Sequence, residues 1–228
     1  MKQVWQLTGY AFLTLWVLSS PAHAAGNAKS EDQKFSYIMG VQIGKQLKNQ
    51  GLKDIDADEV SQAIKDVLND RDLALSETEM QELLTAKQQQ LNADRMVKGK
   101  EAKAAGDRFL LQNKSKPGVV TMANGLQYRV IKAGSGVKPT ATNSVVAHYS
   151  GTLINGTEFD SSYKRGQPAT FPVNGVIQGW QQILPMMATG STWEVFIPSN
   201  LAYGERGAGG SIGPNETLIF KIELIEVK

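Results

Sequence analysis

The sequence predicts an α+β protein: an all-α N-terminal region, one long connecting helix, and a C-terminal antiparallel sheet wrapped around a single short helix. Three observations carry that expectation. Apolar residues recur at helical spacing behind capping signals as far as about residue 115. From Pro117 onward, short runs alternate apolar and polar residues between Asn-Gly turns. In that second half only residues 175–187 have a helical pattern.

The chain opens with a secretory signature. Lys2 is followed by an apolar run from Tyr10 to Leu18 and by Pro21-Ala22-His23-Ala24, the small-x-small pattern of a signal-peptidase site. Residues 1–24 are expected to be a signal peptide cleaved after Ala24, because the run is shorter than the roughly 20 residues that span a bilayer. With no cysteine in 228 residues, the mature chain can enter an oxidising compartment with no disulfide framework and no thiol at risk, and lipid attachment through an N-terminal Cys is excluded. The expected location is the bacterial periplasm, with outer-membrane association or release to the cell surface. Charge is balanced, 24 Lys and Arg against 22 Asp and Glu, and interspersed, which excludes a nucleic acid partner.

Residues 25–75 are expected to be helical and to dimerise. Ser30 and Gln33 form a capping box ahead of Phe35, Ile38, Met39, Val41, Ile43 and Leu47, and Gly51 supplies a left-handed stop. Asp56 with Glu59 opens a second helix carrying Val60, Ile64, Val67 and Leu68. Such short helices bury too little surface to stand alone, and self-association would repair that. Gly40 and Gly44, one turn apart, permit close helix approach either between subunits or within one; spacing does not choose.

Ser76 with Glu79 opens a third helix over residues 76–116, with Met80, Leu83, Leu84 and Leu91 on one face. It continues without proline to about Ser115, ~60 Å at ~1.5 Å per residue. Between Lys98 and Asp107 only alanines offer apolar surface, so the stretch reads as a stiff spacer, weakened at Gly99 and Gly106. Pro117-Gly118 ends it. Residues 117–228 then form the sheet domain, with strands expected at 126–131, 145–153, 192–197 and 217–227.

Several chemistries are excluded within that domain. Gly209-Gly210-Ser211-Ile212-Gly213 matches a nucleophile elbow literally, but it lies in a glycine-rich loop and neither Asp nor His follows Ser211. His148 is the only histidine beyond the signal segment and Cys is absent, so zinc would lack its preferred ligands. No phosphate-binding P-loop occurs. What remains is a set of aromatic residues with Asp160. Phe159-Asp160 follows a hairpin turn, Trp180 lies on the short helix, and Tyr203 begins a long loop, so distant segments can converge on one concavity. Taken singly, each ring is core filling and Asp160 caps a turn.

As an ordered set the segments Val146-Ala147-His148-Tyr149-Ser150-Gly151, Gly156-Thr157-Glu158-Phe159-Asp160-Ser161-Ser162, Val176-Ile177-Gln178-Gly179-Trp180, Ala202-Tyr203-Gly204 and Pro214-Asn215-Glu216-Thr217-Leu218-Ile219-Phe220 resemble the FKBP-type peptidyl-prolyl cis-trans isomerases. The order of signal peptide, short helices, long helix and C-terminal domain is similar to the macrophage infectivity potentiator (Mip) branch. Pro117-Gly118-Val119-Val120, Gly125-Leu126-Gln127-Tyr128 and Gly190-Ser191-Thr192-Trp193-Glu194-Val195 add to that likeness.

The resemblance implies an FKBP-like half-barrel sheet and a proline site with Trp180 as its floor and Tyr149, Phe159, Phe171, Val176, Ile177, Ile212 and Phe220 as its walls. Asp160 would sit at the rim, and the Tyr203 hydroxyl and Ile177 N–H would donate to carbonyls of the bound peptide. Catalysis is expected from Asp160, Tyr203, Phe159 and Tyr149, with no cofactor and no metal. Asp160 acts either on the rotating carbonyl or by orienting Tyr149. Implied partners are proline-containing polypeptides, a second copy of the chain through the N-terminal helices, and macrolides such as rapamycin. Ala169 stands where many members carry an aromatic, and residues 205–211 lack a His found in some, which bears on pocket width. The alternative expectation is a non-catalytic holdase chaperone or adhesion module using the same pocket and dimer cleft.

Overall fold

The computed structural model describes residues 30–52 and 54–228. The expected signal peptide and mature start at Ala25 lie outside them. The chain divides into two compact units, one ending at Gly44 and one covering Lys45–Lys228.

Three helices come first: α1 (Glu31–Asn49), α2 (Ala57–Leu68) and α3 (Glu77–Asn113). Each starts where its cap dictates. Ser30 Oγ accepts from the Gln33 N–H at 3.2 Å while Gln33 Oε1 accepts from the Ser30 N–H at 2.9 Å. The Asp56 carboxylate accepts from the N–H groups of Asp58 and Glu59, and Ser76 and Glu79 close a reciprocal box. At the far end of α1, Gly51 has φ +82°; Leu52 N–H reaches the Leu47 carbonyl and Gly51 N–H that of Lys48, the two bonds of a Schellman stop. None of the residues of α1 or α2 is buried, and Phe35, Ile38, Val67, Leu68, Leu83 and Leu84 are all exposed. No described helix is long and apolar enough to cross a membrane.

The long helix departs from the spacer expectation in its second half. Gly99, Gly106, Leu110 and Asn113 are buried. Gln127 Nε2 donates to the Leu110 carbonyl at 2.8 Å, Asn113 Nδ2 donates to Gln127 Oε1 at 3.0 Å, and the Phe109 and Phe196 rings lie 5.9 Å apart. The two glycines are therefore seats rather than weak points. A Cβ at Gly106 would stand 2.2 Å from Thr217 Oγ1 and one at Gly99 3.2 Å from Pro214 Cβ. Each glycine costs a helix interior about 1 kcal/mol relative to Ala, which the close contact offsets.

The sheet has seven strands: β1 (Val119–Thr121), β2 (Gln127–Lys132), β3 (Ser144–Leu153), β4 (Glu158–Ser161), β5 (Ala169–Pro172), β6 (Thr192–Ile197) and β7 (Leu218–Val227). They are antiparallel in the order β1-β2-β6-β7-β3-β4, and β5 shares the free edge of β3 with β4. The four long strands fall where alternation predicts them. β3 alternates strictly between buried and partly buried positions, with Val145, Ala147, Tyr149, Gly151 and Leu153 inward. The three short strands β1, β4 and β5, of three or four residues each, were not expected. Their length is too small for a period-2 signal; pairing with β2 and β3 makes them strands.

Helix α4 (Gln178–Ile183) fills the concave face of the sheet, flanked by single 3-10 turns at Val173–Gly175 and Leu184–Met186. The expected helix at 175–187 is thus one short α-helix between two turns, because Val176 and Ile177 are extended. Trp180, Ile183, Leu184 and Met187 pack on Val145, Ala147, Val195, Ile197, Ile222 and Leu224, all buried. A fully buried side chain of this kind contributes about 1.5–3 kcal/mol.

Gly179 sets the distance between helix and sheet, since a Cβ there would lie 2.5 Å from Ile197 Cγ2. Gly179→Ala should lower unfolding stability by about 1–3 kcal/mol in urea, the usual cost of overpacking. A midpoint equal to wild type would mean that α4 has room to shift.

Candidate active site

The sheet and α4 leave a cavity of about 660 Å³ at one end of the concave face. All ten residues expected at the site line it: Tyr149, Phe159, Asp160, Phe171, Val176, Ile177, Trp180, Tyr203, Ile212 and Phe220. They come from β3, β4, β5, the turn before α4, α4 itself, the loop after β6, and β7. Trp180 is at the centre, edge-on to Tyr149, Phe171 and Phe220 with ring centroids 5.3–5.6 Å apart. Phe159 in turn meets Phe220 edge-on at 5.5 Å. Such tilted pairs are the favoured aromatic geometry and add about 0.5–1.5 kcal/mol each beyond burial.

Gly151 makes room for two of these rings. It lies opposite Phe220 on one side and Asp160 on the other, and a Cβ there would stand 2.6 Å from the Phe159 ring and 2.7 Å from that of Phe220. Ile177 is the N-cap of α4, with φ −61° and ψ 152°. Its carbonyl accepts from Trp180 and Gln181, while its N–H precedes the helix ladder. Gln181 Nε2 braces the same turn through the Val176 carbonyl at 2.7 Å.

Asp160 is tied on both sides. The Tyr149 hydroxyl donates to one carboxylate oxygen, Arg165 pairs with the other, and Arg165 Nη2 donates to the Tyr149 hydroxyl at 2.7 Å. The guanidinium also lies 5.4 Å from the centre of the Tyr149 ring. Burial pulls the Asp160 carboxyl upward, but the Tyr149 hydrogen bond and then Arg165 outweigh it and hold the group below the usual carboxylate value. Burial and then the hydrogen bond to Asp160 raise the Tyr149 phenol, and burial and then the charge on Asp160 raise Tyr203. At neutral pH the site therefore holds one carboxylate and two protonated phenols.

Arg165 escaped the sequence reading. It sits in the exposed turn after β4, five residues beyond Asp160, where no periodicity says which way a side chain returns. Ala208, Gly209 and Ser211 also line the cavity, from a loop closed by paired backbone bonds between Ala208 and Ile212. That loop is no strand-to-helix elbow, so Ser211 has none of the geometry of a hydrolase nucleophile. His148 lies away from the pocket, bonded through Nδ1 to Ser162 Oγ at 2.9 Å and stacked on Tyr163. Among the described residues no group of three His, Cys, Asp or Glu is placed to hold a metal ion.

An antiparallel sheet closed on one short helix, with an aromatic-walled hollow around Trp180 and a single carboxylate at Asp160, marks a class of protein built around an apolar pocket. Comparison with known proteins gives that class its family. Residues 135–225 match the FKBP-type peptidyl-prolyl cis-trans isomerase family and residues 32–130 match the domain amino terminal to FKBP-type peptidyl-prolyl isomerase. The outer membrane protein MIP of Legionella longbeachae is 50% identical over 216 residues, 92% of either chain. The peptidyl-prolyl cis-trans isomerase Mip of Coxiella burnetii is 48% identical over 220 residues, 93% of this chain and 94% of its own. The crystal structure of FkpA from Escherichia coli superposes with a TM-score of 0.62 at 36% identity, over 88% of this chain and 98% of that one. The chain belongs to the FKBP-type peptidyl-prolyl cis-trans isomerases. It is an enzyme that rotates X-Pro bonds in proline-containing polypeptides.

The Asp160 carboxyl should titrate by NMR below the usual aspartate range, and Arg165→Ala should bring it back upward. Because the folded value is the depressed one, the stability held by ionised Asp160 is complete above the unfolded value and lost as pH falls through the folded one. A midpoint unmoved by Arg165→Ala would remove the guanidinium from the account.

Proposed function

We propose that the pocket catalyses prolyl isomerisation in exported or surface proteins by favouring the twisted amide, with no bond made or broken. The observation that carries this is the central placement of Trp180 among rings, beside one carboxylate already neutralised by its neighbours. Amide resonance gives the X-Pro bond a barrier of ~18–20 kcal/mol and exchange times on the order of 10–100 s. A planar amide carries more charge on its oxygen and is better solvated than a twisted one. Removing water therefore penalises the ground state more than the transition state. A 10⁴-fold acceleration asks for only about 5.4 kcal/mol, within reach of desolvation plus two or three fixed donors.

Each side chain takes a role on this reading. Trp180 is the floor under the proline ring, and Phe171, Val176, Ile177, Ile212 and Phe220 enclose it. The Tyr203 hydroxyl and the Ile177 N–H hold the flanking carbonyls in a bent chain. Asp160 acts through Tyr149, since a carboxylate bonded to a phenol and a guanidinium is a poor proton acceptor; by accepting the phenol hydrogen bond it fixes the Tyr149 ring in the pocket wall. Phe159 extends the apolar wall against Phe220. The same hollow would take rapamycin and related macrolides.

The N-terminal helices support a homodimer. Apolar side chains along α1 and α2 lie exposed on the single chain. A Cβ at Gly40 or Gly44 would meet nothing within 4 Å, which favours approach by a second copy over packing within one subunit. Two pockets joined this way would hold an unfolded client, and the apolar helices also favour a holdase role beside catalysis. The relative from Legionella longbeachae is named an outer membrane protein. Together with the secretory pattern of residues 1–24, this supports export to the periplasm or cell surface.

Phe159→Ala, Asp160→Ala and Tyr203→Ala should each lower kcat/KM on an X-Pro tetrapeptide by roughly tenfold or more, with the circular dichroism spectrum retained. A wild-type protein that fails to accelerate proline-limited refolding would overturn the catalytic reading and leave the holdase. Gly40→Leu or Gly44→Leu should shift the mass by light scattering toward monomer; an unchanged mass would move the interface elsewhere.

A further inference from the structure

One wall of the pocket is built from a segment that braces itself poorly. Between Tyr203 and Leu218 the chain supplies Tyr203, Ala208, Gly209, Ser211 and Ile212 to the cavity, while Gly204, Gly207, Gly209 and Gly210 all have positive φ. Four glycines in that region leave a loop with many accessible conformations. Its own ties are few: the reciprocal bonds between Ala208 and Ile212, at 2.9 and 3.0 Å, and the Asn215 and Gly207 N–H groups to the Gly204 carbonyl at 2.8 and 3.4 Å.

The external braces come from α3. The Arg95 guanidinium donates to the Arg206 carbonyl inside the loop. Gly99 sits against Pro214 and Asn215, where a methyl group would be tight at 3.2–3.4 Å, and Gly106 against Thr217, where a methyl group would clash at 2.2 Å. Steps of four, seven, four and three residues put Arg95, Gly99, Gly106, Leu110 and Asn113 on one stripe of the helix. Its lower end is pinned to the sheet through Gln127 and Phe196. One rigid helix thus touches the loop near its middle and at its exit, and the sheet beyond it.

We propose that this stripe of α3 positions the pocket wall for binding of the proline segment, with Arg95 and Gly106 as positioning residues that touch no substrate. The inference rests on the pocket being the prolyl site. Fixing the Arg206 carbonyl and the Thr217 end of the loop removes conformational freedom before the substrate arrives, so Ile212 closes on the bound chain without a further ordering cost. The wall meets ground state and transition state alike. Its loss therefore acts on KM and leaves the chemical step, set by Trp180 and the Tyr149–Asp160 pair, nearly as it was. An element that the sequence presents as a linker is in this way part of the binding site.

The test compares Arg95→Ala, Arg95→Lys and Gly106→Ala in the full chain, using an X-Pro tetrapeptide and amide hydrogen exchange. Loss of one hydrogen bond should raise KM about three- to tenfold in Arg95→Ala, with kcat changed by less than about twofold. Exchange at the Ala208 and Ile212 amides should quicken by a similar factor, and Arg95→Lys should recover most of both effects. Gly106→Ala should move KM the same way, and should it fail to fold, the two Arg95 variants still decide. Wild-type KM and wild-type exchange in Arg95→Ala would overturn the proposal. So would equal losses in kcat and unfolding midpoint for the Ala and Lys variants, which mark a merely structural contact. Asp160→Ala is the control for the site itself: full activity there would sink the pocket assignment, while the exchange rates would still report on the brace.

Discussion

The close seating of α4 on β6 governs the geometry of the pocket. Because Gly179 has no side chain, Ile197 fills the space where a Cβ would be, and the next residue, Trp180, is carried deep into the concave face. Tyr149, Phe171 and Phe220 then pack edge-on around that indole, and Phe159 leans on Phe220. Each ring pair is worth little alone, but together they set walls that no single strand could hold. Gly151 repeats the device on the sheet, where a missing side chain makes space for the Phe159 and Phe220 rings. Two absent methyl groups thus shape the cavity as much as the aromatic residues do.

The charged part of the site serves orientation more than stability. The Asp160 and Arg165 side chains are 42% and 45% exposed, where an ion pair contributes at most about 1 kcal/mol. Its value lies in geometry. Arg165 bonds both Asp160 and Tyr149, so three polar groups are locked into one arrangement and none is left with a free proton-transfer role. This suits a reaction whose difficulty is lost amide resonance rather than proton movement.

The long helix joins two physical regimes within one element. Its early turns expose Leu83, Leu84, Met96 and Val97, whereas its later turns bury Gly106, Leu110 and Asn113 against the sheet domain. The change follows from side-chain size. Leucines in the first part offer apolar surface that nothing in the described chain covers, and glycines in the second let the Pro214 and Thr217 side chains seat against the helix. A helix that is polar by composition can therefore dock firmly when the contact is made through small residues.

Local signals and periodicity made much of this protein legible beforehand. Ser30, Asp56 and Ser76 mark helix starts by chemistry acting over three residues, and the alternation in β3, β6 and β7 requires only that one face be buried. Eight of the ten pocket residues were legible as an ordered set of motifs, and Phe171 and Ile212 followed only from the family resemblance, while each alone was indistinguishable from core filling. The strands β1, β4 and β5, the return of Arg165 onto Asp160, and the seating of Gly99 and Gly106 on Pro214 and Thr217 were not legible. The sequence by itself determined the helix starts and the four long strands, because caps and alternation are local, and its ordered motifs named the residues expected to line the pocket. The tertiary structure alone decided which glycines are contacts, which cation meets the acid, and which helix braces the pocket wall. Those depend on distances between segments 5 to 111 residues apart, which no local pattern encodes.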